Sequence, residues 1–260
     1  MLKGMVLIIA SAIVLAGGWL NVLPAADIPA IAAASDVKFT LTEVADRFRE
    51  ETGRTVRISY GSSGDFRRQI AQGAPFELFL SADESYVQAL QEEVFTLDRG
   101  VLYGLGRLAL YVPHGSSLTP DAELLNDLAT ALKEGRLRRF AIANPEHAPY
   151  GRAAREVLVK LGLWDRIQNH LVLGENAAQA VQFVISGSAQ GGFIPLALAL
   201  ASEVSSRGRF VVVSPEWHSP LRQRMVLLKN AGDTARRFYA FIQGPVAWAI
   251  FERYGFVRPD

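Results

Sequence analysis

The chain has 260 residues, 27 Lys+Arg against 26 Asp+Glu, half of its residues hydrophobic and a fifth charged. That composition excludes a disordered or low-complexity protein, and it leaves no basic excess for nucleic-acid binding. The absence of cysteine excludes a disulfide scaffold, cysteine nucleophiles, iron–sulfur clusters and cysteine zinc sites, and it suits an oxidising compartment.

The chain opens with Lys3 and then runs from Met5 to Leu23 without a charge. A short basic start followed by an apolar run reads as an export signal over residues 1–26. The run approaches bilayer length, so the segment is either cleaved near Pro24-Ala25-Ala26 or retained as an anchor. Beyond it, short strands alternate with amphipathic helices. Leu41, Val44, Ala45 and Phe48 recur at helical spacing, and Gly53 follows as a helix stop. Val56–Tyr60 and Leu78–Leu80 read as strands, with the helix stop Gly73 between them. Leu108–Val112 and Phe140–Ala143 are the next strands. Ala154, Val157, Leu158 and Leu161 then mark a helix ending at Gly162, and Phe210–Val213 is the last strand. The aromatic tail Phe238, Tyr239, Trp248, Phe251, Tyr254 and Phe256 reads as core. The alternation predicts an α/β protein with mostly parallel sheets. The length allows one large domain or two smaller ones, with a core that needs no staple.

Four segments end a strand and open a helix: Ala32–Asp36, Tyr60–Asp65, Ala143–Gly151 and Gly174–Ala177. Ligands of open α/β sheets bind off the carboxyl ends of strands, where helices begin. A helix start offers free N–H groups and a partial positive charge. Several aimed at one point hold an anion without Lys or Arg. Ser35, Ser62, Ser63 and Tyr150 add hydroxyls, and Gly61, Gly64 and Gly151 permit close backbone approach. The plainer reading is that these polar residues only cap helices. Residue patterns alone therefore reach an exported α/β protein with a capacity for anions.

Enzyme motifs are missing. Gly61-Ser62-Ser63-Gly64 is followed by Asp65 rather than completing a nucleophile elbow, and there is no phosphate loop and no H-E-x-x-H. Gly104-Leu105-Gly106 lacks the third glycine of a dinucleotide site. His114, His147, His170 and His218 are scattered and read as surface or capping residues.

The segments Ala32–Ser35, Tyr60–Gly64, Gln69–Asp83, Ala143–Pro145, Ala148–Gly151, Gly174–Asn176 and Phe251–Phe256, in that order, resemble the molybdate-specific substrate-binding proteins of bacterial ABC transporters. The resemblance runs from about Ile28 to Val257. It implies a type II periplasmic binding protein fold: two α/β lobes, a central cleft and two crossover segments. Lobe I would comprise residues 27–106 and 220–260, and lobe II residues 107–219. The implied ligand is a molybdate or tungstate oxyanion, held without a metal cation or cofactor by Ser35, Ser63, Tyr150 and the backbone N–H of Ala177. Asp36 and Ser62 are weaker candidates. A carboxylate at 36 would repel an anion, so Asp36 is expected to cap its helix while its N–H faces the cleft. Pro195 stands where some members place a tyrosine ligand, and the Tyr150 hydroxyl is expected to replace it. The implied protein is a periplasmic monomer that passes its anion to an inner-membrane permease and catalyses nothing. A different oxyanion such as sulfate, or a tethered anion sensor, is the alternative.

Overall fold

The computed structural model describes residues 28–119 and 124–259, so the export segment 1–26 lies outside the described residues. Two five-stranded sheets form two lobes. The first holds β1 (Ala30–Ala34), β2 (Arg57–Gly61), β3 (Leu78–Ser81), β4 (Val101–Gly106) and β10 (Leu221–Leu227), in the order β2-β1-β3-β10-β4. The second holds β5 (Leu108–Pro113), β6 (Phe140–Ala143), β7 (Leu171–Gly174), β8 (Gly191–Pro195) and β9 (Gly208–Val212), in the order β7-β6-β8-β5-β9.

The helices are α1 (Lys38–Thr52), α2 (Ser63–Ala71), α3 (Glu84–Glu92), α4 (Leu124–Lys133), α5 (Pro149–Lys160), α6 (Trp164–Ile167), α7 (Ala177–Ile185), α8 (Leu196–Ala199), α9 (Ser202–Ser205), α10 (Asp233–Ile242) and α11 (Pro245–Arg253). Among the described residues none is long and apolar enough to cross a membrane.

The sheets are mixed rather than mostly parallel. β1 pairs in parallel with β2 and β3, and β6 with β7 and β8. β10 runs antiparallel to β3 and β4, and β5 antiparallel to β8 and β9. The reason is connectivity. Helical crossovers return the chain in the same direction, but β5 follows β4 after Arg107 alone, and β10 follows β9 after residues 213–220. These two passages carry the chain between lobes, and each delivers its strand reversed.

Period-two alternation divides the first sheet between two cores. Ile31, Ala33, Leu78, Leu80, Met225 and Leu227 face one cluster, into which α1, α10 and α11 pack Leu41, Phe48, Phe238 and Phe251. Ala32, Phe79 and Val226 face the other, with Phe66 and Ile70 of α2 and Val87 and Leu90 of α3. Of the aromatic tail, Phe238, Phe251 and Phe256 are core as read, while Tyr239, Trp248 and Tyr254 are half-buried against it: Phe48 meets Phe238 edge-on at 5.1 Å, and Phe251 meets Phe256 at 5.2 Å. The second sheet is wrapped by one large cluster that reaches Ala34, Ala82 and Leu221 of the first lobe. The helix stops behave as read, with Gly53, Gly73 and Gly162 all at positive φ.

A candidate anion site between the lobes

Each of the four strand-to-helix segments forms as read: β1 leads through a 3₁₀ turn (Ser35–Val37) to α1, β2 to α2, β6 to α5 and β7 to α7. Strand ends of the two lobes face one another, so helix starts from both sides converge. Ser35, Asp36, Ser62, Ser63, Tyr150 and Ala177 all line one small cavity. Every one of these side chains is buried. The structure thus brings together all six residues that the sequence singled out.

Hydrogen-bond accounting shows what each can still offer. A serine hydroxyl has one hydrogen to donate and can accept. The Ser63 Oγ accepts from the Ala82 N–H at 3.0 Å, and the Ser35 Oγ accepts from the Ala178 N–H at 3.1 Å. In both, the backbone N–H occupies the oxygen and leaves the hydroxyl hydrogen for the cavity.

At the start of α7, the Asn176 side chain accepts from the Gln179 N–H at 3.1 Å, and Ala178 is taken by Ser35. The Ala177 N–H remains. At the start of α2, Ser62 is the cap: its Oγ accepts from the Asp65 N–H at 3.2 Å, while the Gly64 N–H reaches the His147 carbonyl at 3.0 Å. The Ser63 N–H remains. On α5, Pro149 at the first position has no N–H, which leaves that of Tyr150. These first-turn N–H groups lack helical partners by geometry, and together with the two hydroxyls they form a set of neutral donors.

Two expectations about this site fail. Asp36 does not cap α1, since neither the 3₁₀ turn nor α1 has a side-chain cap. Its carboxylate turns into the lobe interface instead, where Oδ2 accepts from Gln223 Nε2 at 2.6 Å. The Tyr150 hydroxyl also does not supply the donor missing at Pro195. It accepts from the same Gln223 Nε2 at 3.1 Å and interacts with Asp36. What Tyr150 leaves for an anion is its free backbone N–H. Pro195 closes β8, opposite Leu108, as the cap of α8.

Burial pushes the Asp36 carboxyl up to about 6, against the pull of hydrogen bonds from Gln223 and Tyr150. Burial and the Asp36 charge hold Tyr150 and Tyr103 well above the usual tyrosine range.

The sequence reading missed Gln223, which is fully buried on β10. Its one signal is a polar residue in phase with Leu221 and Met225, at an inward position of an alternating strand. Gly106 makes room for it: a Cβ there would lie 2.3 Å from the Tyr150 hydroxyl and 2.6 Å from Gln223 Nε2.

His147 is also neither a surface nor a capping residue. It is buried between the lobes, with Nδ1 3.0 Å from Ser62 Oγ. Asp65, His147 and Glu175 each bring one potential cation ligand within 4.8 Å of the others. Asp65, however, already serves Ser62 and Arg68, and His147 Nδ1 serves Ser62. The cluster acts as a set of polar contacts across the cleft rim, alongside the Arg152–Asp83 ion pair.

The family model for bacterial extracellular solute-binding proteins matches residues 30–257. The chain is 36% identical to the molybdate-binding protein ModA of Rhodobacter capsulatus, over 90% of each chain. It is 34% identical to that of Azotobacter vinelandii, over 87% of this chain and 88% of the other. The solved periplasmic molybdate-binding protein of Azotobacter vinelandii is similar with a TM-score of 0.81 at 31% identity, covering 89% of this chain and 100% of that one. The sulfate-binding protein SubI of Mycobacterium tuberculosis shares the fold, with a TM-score of 0.73 at 17% identity over 90% of this chain and 87% of that one.

Proposed function

The chain belongs to the bacterial extracellular solute-binding proteins, and we propose that it captures molybdate, and tungstate with it, in the periplasm and delivers the anion to the permease of an ABC transporter. The observation that carries this reading is the convergence of Ser35, Ser63, Tyr150 and Ala177 on one buried cavity of neutral donors. A fully ionised tetrahedral dianion presents acceptors only, so each free O–H or N–H finds a partner and the anion is held without a cation. The names of the relatives at 34–36% identity support molybdate as the cargo.

In this reading residues 27–106 and 220–260 form one half of a monomeric clamp and residues 107–219 the other. Residues 1–26 direct export, as a cleaved signal or a retained anchor. The protein acts by binding alone.

The test is calorimetry on ligand-stripped protein with molybdate, tungstate, sulfate and phosphate. One molybdate per chain is expected, with a melting temperature that rises with ligand concentration because only the folded state binds. Neither heat nor thermal shift with molybdate would refute the reading, and sulfate binding alone would move the protein to sulfate transport.

A further inference from the structure

We propose that this site takes up one proton together with each anion, and that Asp36 holds it. The inference rests on the anion-binding reading above and adds a coupled ion to it.

Asp36 follows Ser35 directly at the end of β1 and lines the cavity with 1% of its surface exposed. Its two oxygens are not equivalent. Oδ2 accepts from Gln223, whereas Oδ1 is buried with no partner among the described residues. The Ser35 and Ser63 hydroxyls and the free first-turn N–H groups at the cavity wall are left to donate. An ionised Asp36 would therefore place a desolvated negative charge, with one oxygen unpartnered, beside a dianion, in a site with no Lys or Arg among its described lining residues. Like charges in a buried site are resolved by protonating one of them.

The titratable groups that face Asp36 are Tyr150 from α5 and Tyr103 from β4, and the neutral Gln223 faces it from β10. Both tyrosines stay neutral, so neither offsets the charge. The balance is simple: the Asp36 carboxylate, one solvent proton and the dianion give a neutral carboxylic acid hydrogen-bonded to the dianion. No bond within the anion changes. In this proposal the proton goes to Oδ1, which turns a buried, unpartnered acceptor into a donor for the anion. Burial already raises this carboxyl to about 6 in the absence of ligand, even against its hydrogen bonds, and an adjacent dianion pushes it further in the same direction.

The consequence is linkage. Over the range where Asp36 is ionised in the free protein and protonated in the complex, affinity should fall about tenfold per pH unit as pH rises. Below that range it should be flat.

The experiment is calorimetry with sodium molybdate at pH 7.5 in two buffers of different ionisation enthalpy, which counts protons directly. The wild-type protein is expected to take up close to one proton per anion. Asp36→Asn, whose amide keeps a neutral donor in place, is expected to bind molybdate with no uptake and little pH dependence. Absence of uptake in the wild type would overturn the proposal, and this arm needs no variant to fold. Equal uptake in Asp36→Asn would also overturn it, because the proton would then reside on another group. Absence of heat in both buffers would instead remove the anion reading on which the proposal stands.

Discussion

Replacing Ser63 by alanine separates the ligand role of this residue from its structural one. In the folded protein the Ser63 Oγ accepts the buried Ala82 N–H at 3.0 Å and keeps its hydrogen for the cavity. Removing the hydroxyl deletes one hydrogen bond to a charged partner, worth about 1.5–3 kcal/mol, or roughly tenfold to a hundredfold in affinity. It also strands the Ala82 N–H, at a cost of about 1–3 kcal/mol in stability. The helix cap survives, because Ser62 and not Ser63 accepts the Asp65 N–H. For a chain of this size, with a shift of about 2–4 °C per kcal/mol, the ligand-free variant should melt a few degrees lower with a cooperative transition. Calorimetry with molybdate and thermal melts with and without it read the two effects apart. A Ser63→Ala protein that binds like the wild type would refute the donor assignment, since no other role of this hydroxyl touches the ligand.

Gly64→Ala should hold the lobes apart, because a Cβ at this position would lie 2.7 Å from the His147 carbonyl oxygen. Losing the Gly64 and Ser62 contacts to His147 should weaken molybdate binding by about tenfold to a hundredfold, and titration at wild-type affinity would refute this. Asp36 should make the ligand-free protein less stable as pH rises from about 4 to 6. The folded state keeps its proton up to about 6 against a usual 3.8, so the unfolded chain releases it first. The gap amounts to on the order of 3 kcal/mol. The melting temperature of Asp36→Asn, relative to wild type, should therefore climb across that window and level off above it; a constant difference from pH 4 to 7 would refute the assignment.

Most of the site was legible in the sequence because its donors lie at helix starts, and helix starts carry local signals. Ser62 and Asn176 cap the helices that follow them, and the apolar periods on either side fix where strand gives way to helix. What escaped depends on the partner lobe. The orientation of the Tyr150 hydroxyl is set by Gln223, 73 residues further on, and by Asp36. His147 is buried only because Ser62 and Gly64 come to meet it. β4 was obscured by two glycines within Val101–Gly106, one of which exists to admit Tyr150 and Gln223. β10 was obscured because Arg222, Gln223 and Arg224 break the apolar run along the chain; both arginines are satisfied by Glu84 at the start of α3, which no local pattern could announce.

The same dependence determines how binding and closure are related. The Ser35 hydrogen is left for the cavity because its oxygen is occupied by the Ala178 N–H of the other lobe. Gly64 and Ser62 of one lobe are joined to His147 of the other, and Gln223 to Tyr150. The contacts that join the lobes therefore also orient donors of the cavity. An anion that bonds to both halves interacts more strongly with this arrangement than with any in which the halves are separated. It shifts the population toward closure by that difference and no more. Contacts at the rim, such as Arg152–Asp83, touch no ligand, yet they bias the same equilibrium. Their loss reduces the fraction of protein competent to bind and appears as a weaker apparent affinity. The affinity of the site is in this sense a property of the whole interface, with the serines and helix starts setting which anion is held and the rim setting how firmly.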